Sequence, residues 1–225
     1  MSIFFTVAHG ISERLRVESR VEAMRKRGTR DIPVFVALLR GVNVGGNRIV
    51  SMSALKQSFE AIGLEDVSTY INSGNVLFRS KETDARKLER RIERMLVNEC
   101  KVESRVLIRS FSEITKLIAH WPADWNDHVK GWKYNVIFLS HAIDSRKILK
   151  GLDPKPDIEK VVYLPGTLLW SARVDAISRT SMLKLGRQPT YKEVTVRSPN
   201  TVRKLCELMK EMQPGDRASR RPRLQ

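Results

Sequence analysis

Apolar and polar positions change period several times along this chain, and each change marks an element. Val34–Leu39 is an unbroken apolar run of strand length. A loop rich in glycine and asparagine, Gly41–Asn47, leads to a helix over Ser53–Ile62, where Leu55, Phe59 and Ile62 recur at helical spacing before Gly63. Val67–Ile71 and Val76–Arg79 read as strands around Ser73-Gly74, a two-residue hairpin turn in which Gly74 takes positive φ. Thr83 or Asp84 caps a helix to Cys100 with Leu88, Ile92 and Leu96 as its apolar stripe, and Arg105–Ile108 supplies a fourth strand. The order is β-α-β-β-α-β, the ferredoxin-like plait.

The same grammar returns after a helix, Phe111–His120, and an irregular connector, Trp121–Gly131. Strand Tyr134–Leu139 precedes a short helix, Asp144–Lys150, ended by Gly151, and Val161–Leu164 and Leu168–Ala172 flank a second hairpin turn at Pro165-Gly166. A helix over Ser178–Leu185 closes at Gly186, Tyr191–Val196 reads as a strand, and Ser198 caps a final helix from Pro199 to Met212. Both hairpins carry a tyrosine, a glycine turn and a late aromatic, Phe78 or Trp170. The expected fold is α+β: two tandem ferredoxin-like (βαββαβ) sandwiches with antiparallel sheets covered by helices. In domain terms, 1–32 is an N-terminal extension, helical or flexible; 33–110 is the first unit; 111–132 is a connector with a helix; 133–213 is the second unit; and 214–225 is a basic disordered tail. An alternative start at Met24 leaves residues 1–23 outside the natural product.

A chain of 225 residues with 41% apolar content buries a core without staples, since folding at this size removes roughly 70% of the unfolded surface from water. The two cysteines, Cys100 and Cys206, have no CxxC or Cys/His spacing and read as reduced thiols. No run approaches the ~20 apolar residues of a membrane helix, and the apolar patch Ile3–Ala8 lacks a basic segment before it, so the expected location is cytoplasmic. The net charge of +16 points to a polyanionic partner. Its excess is spread along the chain, with two clusters at Arg25-Lys26-Arg27 and Arg220-Arg221-Arg223, both in the expected ends.

Three motifs, Arg40-Gly41-Val42-Asn43-Val44-Gly45-Gly46-Asn47, Tyr70-Ile71-Asn72-Ser73-Gly74-Asn75-Val76, and Thr195-Val196-Arg197 with Asn200-Thr201-Val202, together resemble the bacterial family catalogued as domain of unknown function 1697. The resemblance covers about residues 33–212. It implies two tandem ferredoxin-like units in a cytosolic bacterial protein, with no established activity. Ser198-Pro199 stands where that resemblance implies an Asn-Trp pair, so no role of the aromatic carries over.

In the plait, the loop after the first strand, the first hairpin and the loop before the fourth strand gather at one edge of the sheet. Arg40, Asn43, Asn47 and Arg48 then supply cationic and amide donors beside Ser73, Gly74 and Asn75, and Gly45-Gly46 lets backbone N–H groups approach a ligand. The helix start near Ser51–Ser53 adds partial positive charge. A phosphate- or carboxylate-bearing ligand suits that edge. Equally, the glycines serve only turn conformations and the asparagines satisfy local backbone groups. Arg197, Asn200 and Thr201 form a second candidate at the start of the last helix, where capping by Ser198 explains much of the same pattern. Lys184 and Arg187 read as charges of a helix C-terminus.

The loop is neither a Walker A sequence nor a GxGxxG fingerprint, and His9, His120, His128 and His141 share no metal spacing. The catalytic residues stay unassigned, and neither a metal nor a cofactor is expected. Three classes of function remain: an anionic-ligand binding module, for a phosphate-bearing small molecule or nucleic acid; an enzyme on a small phosphorylated or carboxylated metabolite; and a protein interaction module. The first ranks highest. An open sheet face with stacked aromatics, the usual RNA platform, depends on whether Tyr70 and Phe78 are exposed.

Overall fold

The computed structural model describes residues 32–43, 49–125 and 129–213. The expectations for residues 1–31 and 214–225 lie outside them.

The first four strands, β1 (Val34–Leu39), β2 (Glu65–Tyr70), β3 (Asn75–Arg79) and β4 (Val106–Ser110), form an antiparallel sheet in the order β2-β3-β1-β4. Helices α1 (Met52–Ala61) and α2 (Ala85–Asn98) cover its outer face. A third helix, α3 (Phe111–Ala119), follows β4. The second sheet contains β5 (Trp132–Leu139), β6 (Glu159–Leu164), β7 (Thr167–Arg173) and β8 (Val194–Arg197), in the matching order β6-β7-β5-β8. Its outer face carries α4 (Ile148–Leu152) and α5 (Ser181–Arg187), and α6 (Pro199–Met212) follows β8. The architecture is thus α+β, with two four-stranded antiparallel sheets in plait order.

Both central strands are apolar without alternation because both faces of each sheet are covered. Phe35, Ala37 and Leu39 point with Val76 and Phe78 toward Phe59, Leu88 and Ile92 of the outer helices. Val34, Val36 and Leu38 point the other way, into a middle layer where Ile114 and Leu117 of α3 meet Val202, Leu205 and Met209 of α6. The inner face of the second sheet, through Val136, Phe138 and Leu169, closes the same core. Trp121, Trp125 and Tyr134 seal one end, with ring centroids 5.6 and 5.4 Å apart. The order of layers is helices, sheet, α3 with α6, sheet, helices. This arrangement removes the RNA platform: Phe78 is fully buried against Phe35 and Phe59, and the opposite face lies under the middle helices.

Local chemistry fixes the helix starts. Ser51 caps α1 by accepting from the Ala54 N–H, and Asp84 caps α2 by accepting from Arg86 and Lys87. Ser110 and Glu113 make a reciprocal capping box at α3, and Ser198 with Pro199 opens α6.

Three local expectations change. The first hairpin loop is Ile71–Gly74, four residues long, with Ile71 and Gly74 both at positive φ. Neither Gly151 nor Gly186 ends a helix: α4 runs through the first to Asp153 in the left-handed region, and α5 runs through the second until Pro189 enforces an extended Gln188. Tyr191 lies in a 3-10 turn, Pro189–Glu193, and the strand begins only at Val194. Helix Phe111–Ala119 is present as expected and follows β4 as α6 follows β8.

The strand registers of the two sheets match as well. Val36 lies opposite Arg109 as Val136 lies opposite Arg197, and Leu38 faces Asn75 as Phe138 faces Thr167. The Leu39 N–H donates to Gly74 at 2.8 Å, and the Leu139 N–H to Gly166 at 2.9 Å. The two halves thus share one strand order and one pairing register, each followed by a helix, α3 or α6. Phe78 and Trp170 are equivalent as the hairpins suggest, but Tyr70 matches Leu164 rather than Tyr163, because the two hairpin loops differ in length.

Candidate functional site

The C-terminal end of β1 gathers the first hairpin and the start of β4, as the plait requires. The Arg40 N–H donates to the Arg105 carbonyl at 2.9 Å, and the Arg40 carbonyl accepts from Ser104 Oγ at 2.9 Å. The Arg40 side chain crosses to the second unit, where Nε donates to the Val194 carbonyl at 3.1 Å and the guanidinium lies 5.0 Å from the Tyr191 ring centroid. Both Nη groups of Arg40 have no acceptor among the described residues.

Asn43 sits at φ 56°. Its amide donates to the Val50 carbonyl at 2.9 Å and accepts from the Val50 N–H at 2.8 Å, tying the two ends of the loop together. Gly45, Gly46, Asn47 and Arg48 lie outside the described residues.

Ser73, Gly74 and Asn75 meet Arg197, but through a hydrogen-bonded clasp. Arg197, 8% exposed, donates from Nε to Asn75 Oδ1 at 2.6 Å and from Nη2 to the carbonyls of Leu39, Ser73 and Gly74 at 2.9, 3.1 and 3.2 Å. Its Nη1 donates to Thr195 Oγ1 and the Val196 carbonyl, both at 2.8 Å. Burial lowers its pKa to about 10, so it stays charged at neutral pH. Gly74 is required there: at φ 68° a Cβ would stand 2.8 Å from that of Leu39. Asn200 accepts from Arg203, and Thr201 donates its N–H to the Ser198 cap, so both complete the start of α6.

The residues that join Arg40 in open space come from elsewhere. A cleft of about 810 Å³ between the units is lined by Arg40, Arg90 and Arg94 of α2, Arg105, Lys192 and three glutamates, Glu93, Glu103 and Glu193. Arg105 is neutralised by Glu93 at 3.3 Å and by a close ion pair with Glu193. Burial pushes the Glu193 carboxyl up, but the Arg105 hydrogen bond together with the nearby positive charges of Arg105 and Lys192 outweighs it and leaves the pKa below the ordinary value. Arg90, Arg94 and Lys192 pair with no carboxylate among the described residues. Sequence reading missed them because the i,i+4 pair Arg90 and Arg94 resembles the solvated face of any amphipathic helix. No group of three or more metal-ligating side chains occurs among the described residues, nor any helix long and apolar enough to cross a membrane.

The solved structure of the conserved bacterial protein SP0830 from Streptococcus pneumoniae is similar, at 25% identity over 79% of this chain and 99% of that one, with a TM-score of 0.68. No curated protein matches the chain. The model of the family described as protein of unknown function (DUF1697) matches residues 32–170, the stretch that holds the first sheet, the first hairpin, α3, β5, β6 and the first part of β7, and the chain belongs to that family.

Proposed function

We propose that the protein is a binding module for an anionic, phosphate-bearing ligand, a small molecule or a nucleic acid, held in the cleft between the units. One observation carries this reading: Arg40, Arg90, Arg94 and Lys192 converge on a single cleft without a carboxylate partner among the described residues. Five cations against three carboxylates leave the cleft with a positive excess, which beside low-dielectric walls concentrates anions. The segment holding Gly45, Gly46, Asn47 and Arg48 follows Arg40 closely in sequence and is assigned ligand contact here. With both sheet faces covered, nucleic acid contact is confined to phosphate, which predicts weak sequence preference and steep salt dependence.

The test is fluorescence anisotropy of short labelled RNA and single-stranded DNA with the full chain across a salt series, with ATP as competitor. Charge reversal at two exposed positions, Arg90→Glu with Arg94→Glu, is expected to weaken binding at least about tenfold and to reduce the log–log salt slope by about 1 to 2. Competition by ATP at micromolar concentration identifies the small-molecule form of the site. Binding unchanged in the double variant overturns the assignment to this cleft.

A further inference from the structure

The shared register gives Arg197 a twin, Arg109, and the twin is incompletely satisfied. Arg109, 5% exposed at the end of β4, reaches into the second unit as Arg197 reaches into the first. Its Nη2 donates to the carbonyls of Leu139 and Gly166 at 2.6 and 3.0 Å, and its Nη1 to the Ile108 carbonyl at 2.7 Å. Where Asn75 accepts from Arg197 Nε, the equivalent residue is Thr167, and Arg109 Nε has no acceptor among the described residues. The Thr167 hydroxyl likewise makes no hydrogen bond among them.

Both Arg109 and Thr167, the latter at the register position of the larger Asn75, line a cavity of about 370 Å³. Ile114, Leu117, Phe138 and Leu164 form its apolar wall. Asp144 also lines it, its Oδ1 occupied by the Tyr163 hydroxyl at 2.9 Å and the Gly166 N–H at 2.8 Å, with Oδ2 making no hydrogen bond among the described residues. Glu113 spends Oε2 on the Ser110 cap and keeps Oε1 free. Asp144, Glu113 and, from α2, Glu89 all face Arg109 electrostatically, without an ion pair to it among the described residues. Two carboxylates, Glu113 and Asp144, stand in the lining against Arg109 and Lys116, with His120 and His141 beside them, so the field does not select a bare anion. It suits a ligand that carries an amine for the carboxylates, an acceptor for the unused Arg109 N–H, and an apolar body.

We infer that the Arg109 cavity binds a free α-amino acid with an apolar side chain, its carboxylate on Arg109 Nε and Thr167, its ammonium on Asp144 and Glu113, and its side chain against Ile114, Leu117 and Phe138. The volume accommodates leucine or phenylalanine.

Calorimetric titration of the full chain with L-leucine and L-phenylalanine tests this, with leucinol and N-acetyl-L-leucine as probes lacking the carboxylate or the amine. At least one amino acid is expected to bind, and both probes to bind at least about tenfold more weakly. Thr167→Asn restores the arrangement seen at Arg197, so it is expected to abolish binding while leaving the melting temperature unchanged or higher. Asp144→Asn keeps the acceptor for Gly166 and is expected to weaken the amino acid but not N-acetyl-L-leucine. Silence of wild-type protein toward both amino acids overturns the inference. Equal affinity for leucinol does so too, as does wild-type affinity in a folded Thr167→Asn protein.

Discussion

Arg197 illustrates how one residue type serves two ends. In sequence, an arginine before a capped helix start is indistinguishable from an anion-binding group, and its acceptors give no signal, being main-chain carbonyls of Leu39, Ser73 and Gly74. A buried guanidinium with six acceptors is costly to alter because each lost donor strands a desolvated carbonyl. Lysine keeps the charge but cannot span a planar fork. Arg197→Lys is therefore expected to destabilise the protein by about 2 to 4 kcal/mol, read as a shifted denaturant midpoint at constant m. A midpoint unchanged by the substitution sinks the structural assignment and returns Arg197 to the ligand candidates. Arg40 was legible as a candidate for the site because it follows an apolar strand and opens a glycine-rich loop. Its cleft partners were not, because their proximity depends on the packing of the second unit.

At the level of elements, the strongly patterned segments were readable and the short ones were not. Strands β1, β3, β5 and β7 are near-continuous apolar runs, and α2 and α6 carry long stripes with caps. By contrast α4 has five residues and no side-chain cap, so nothing local marks its ends. The outer face of the second sheet relies instead on Glu159, a carboxylate 1% exposed. It accepts from the Lys155 and Ser181 N–H groups, Trp170 Nε1 and Ser181 Oγ, joining β6, β7 and α5. Burial pushes its pKa up, and the hydrogen bonds, led by the Ser181 N–H, outweigh that and leave it below the usual 4.5. A folded pKa below the unfolded one means that the stabilisation is present above 4.5 and is lost as pH falls through the folded value. Glu159→Gln is expected to cost about 2 to 3 kcal/mol at neutral pH and to flatten the acid limb of stability. Parallel acid limbs in variant and parent contradict the ionised, four-bonded state.

On the scale of the whole molecule, the order of strands was legible, and the sharing of one core by two units was not. The apolar face of α3 reads the same whether it covers its own sheet or a partner's, so its pairing with α6 needed the three-dimensional register. Because α3, α6 and both inner sheet faces form a single cluster, the halves are expected to unfold together. All four tryptophans, Trp121, Trp125, Trp132 and Trp170, lie in the middle layer or the second unit, so their fluorescence reports on those parts, while far-UV circular dichroism reports on the whole. The two denaturation curves should coincide, and separated midpoints would show independent units.

The reciprocal arginines also bear on how such a molecule can change over generations. Most of their cross-unit acceptors are carbonyl oxygens, which every amino acid carries. Side chains in either hairpin can therefore drift without breaking the joint, provided that the turn backbone persists. Two halves with little residual likeness can stay fastened in the same relative position, and a cavity like that beside Arg109 can open in one half through a single exchange of asparagine for threonine while its counterpart remains closed.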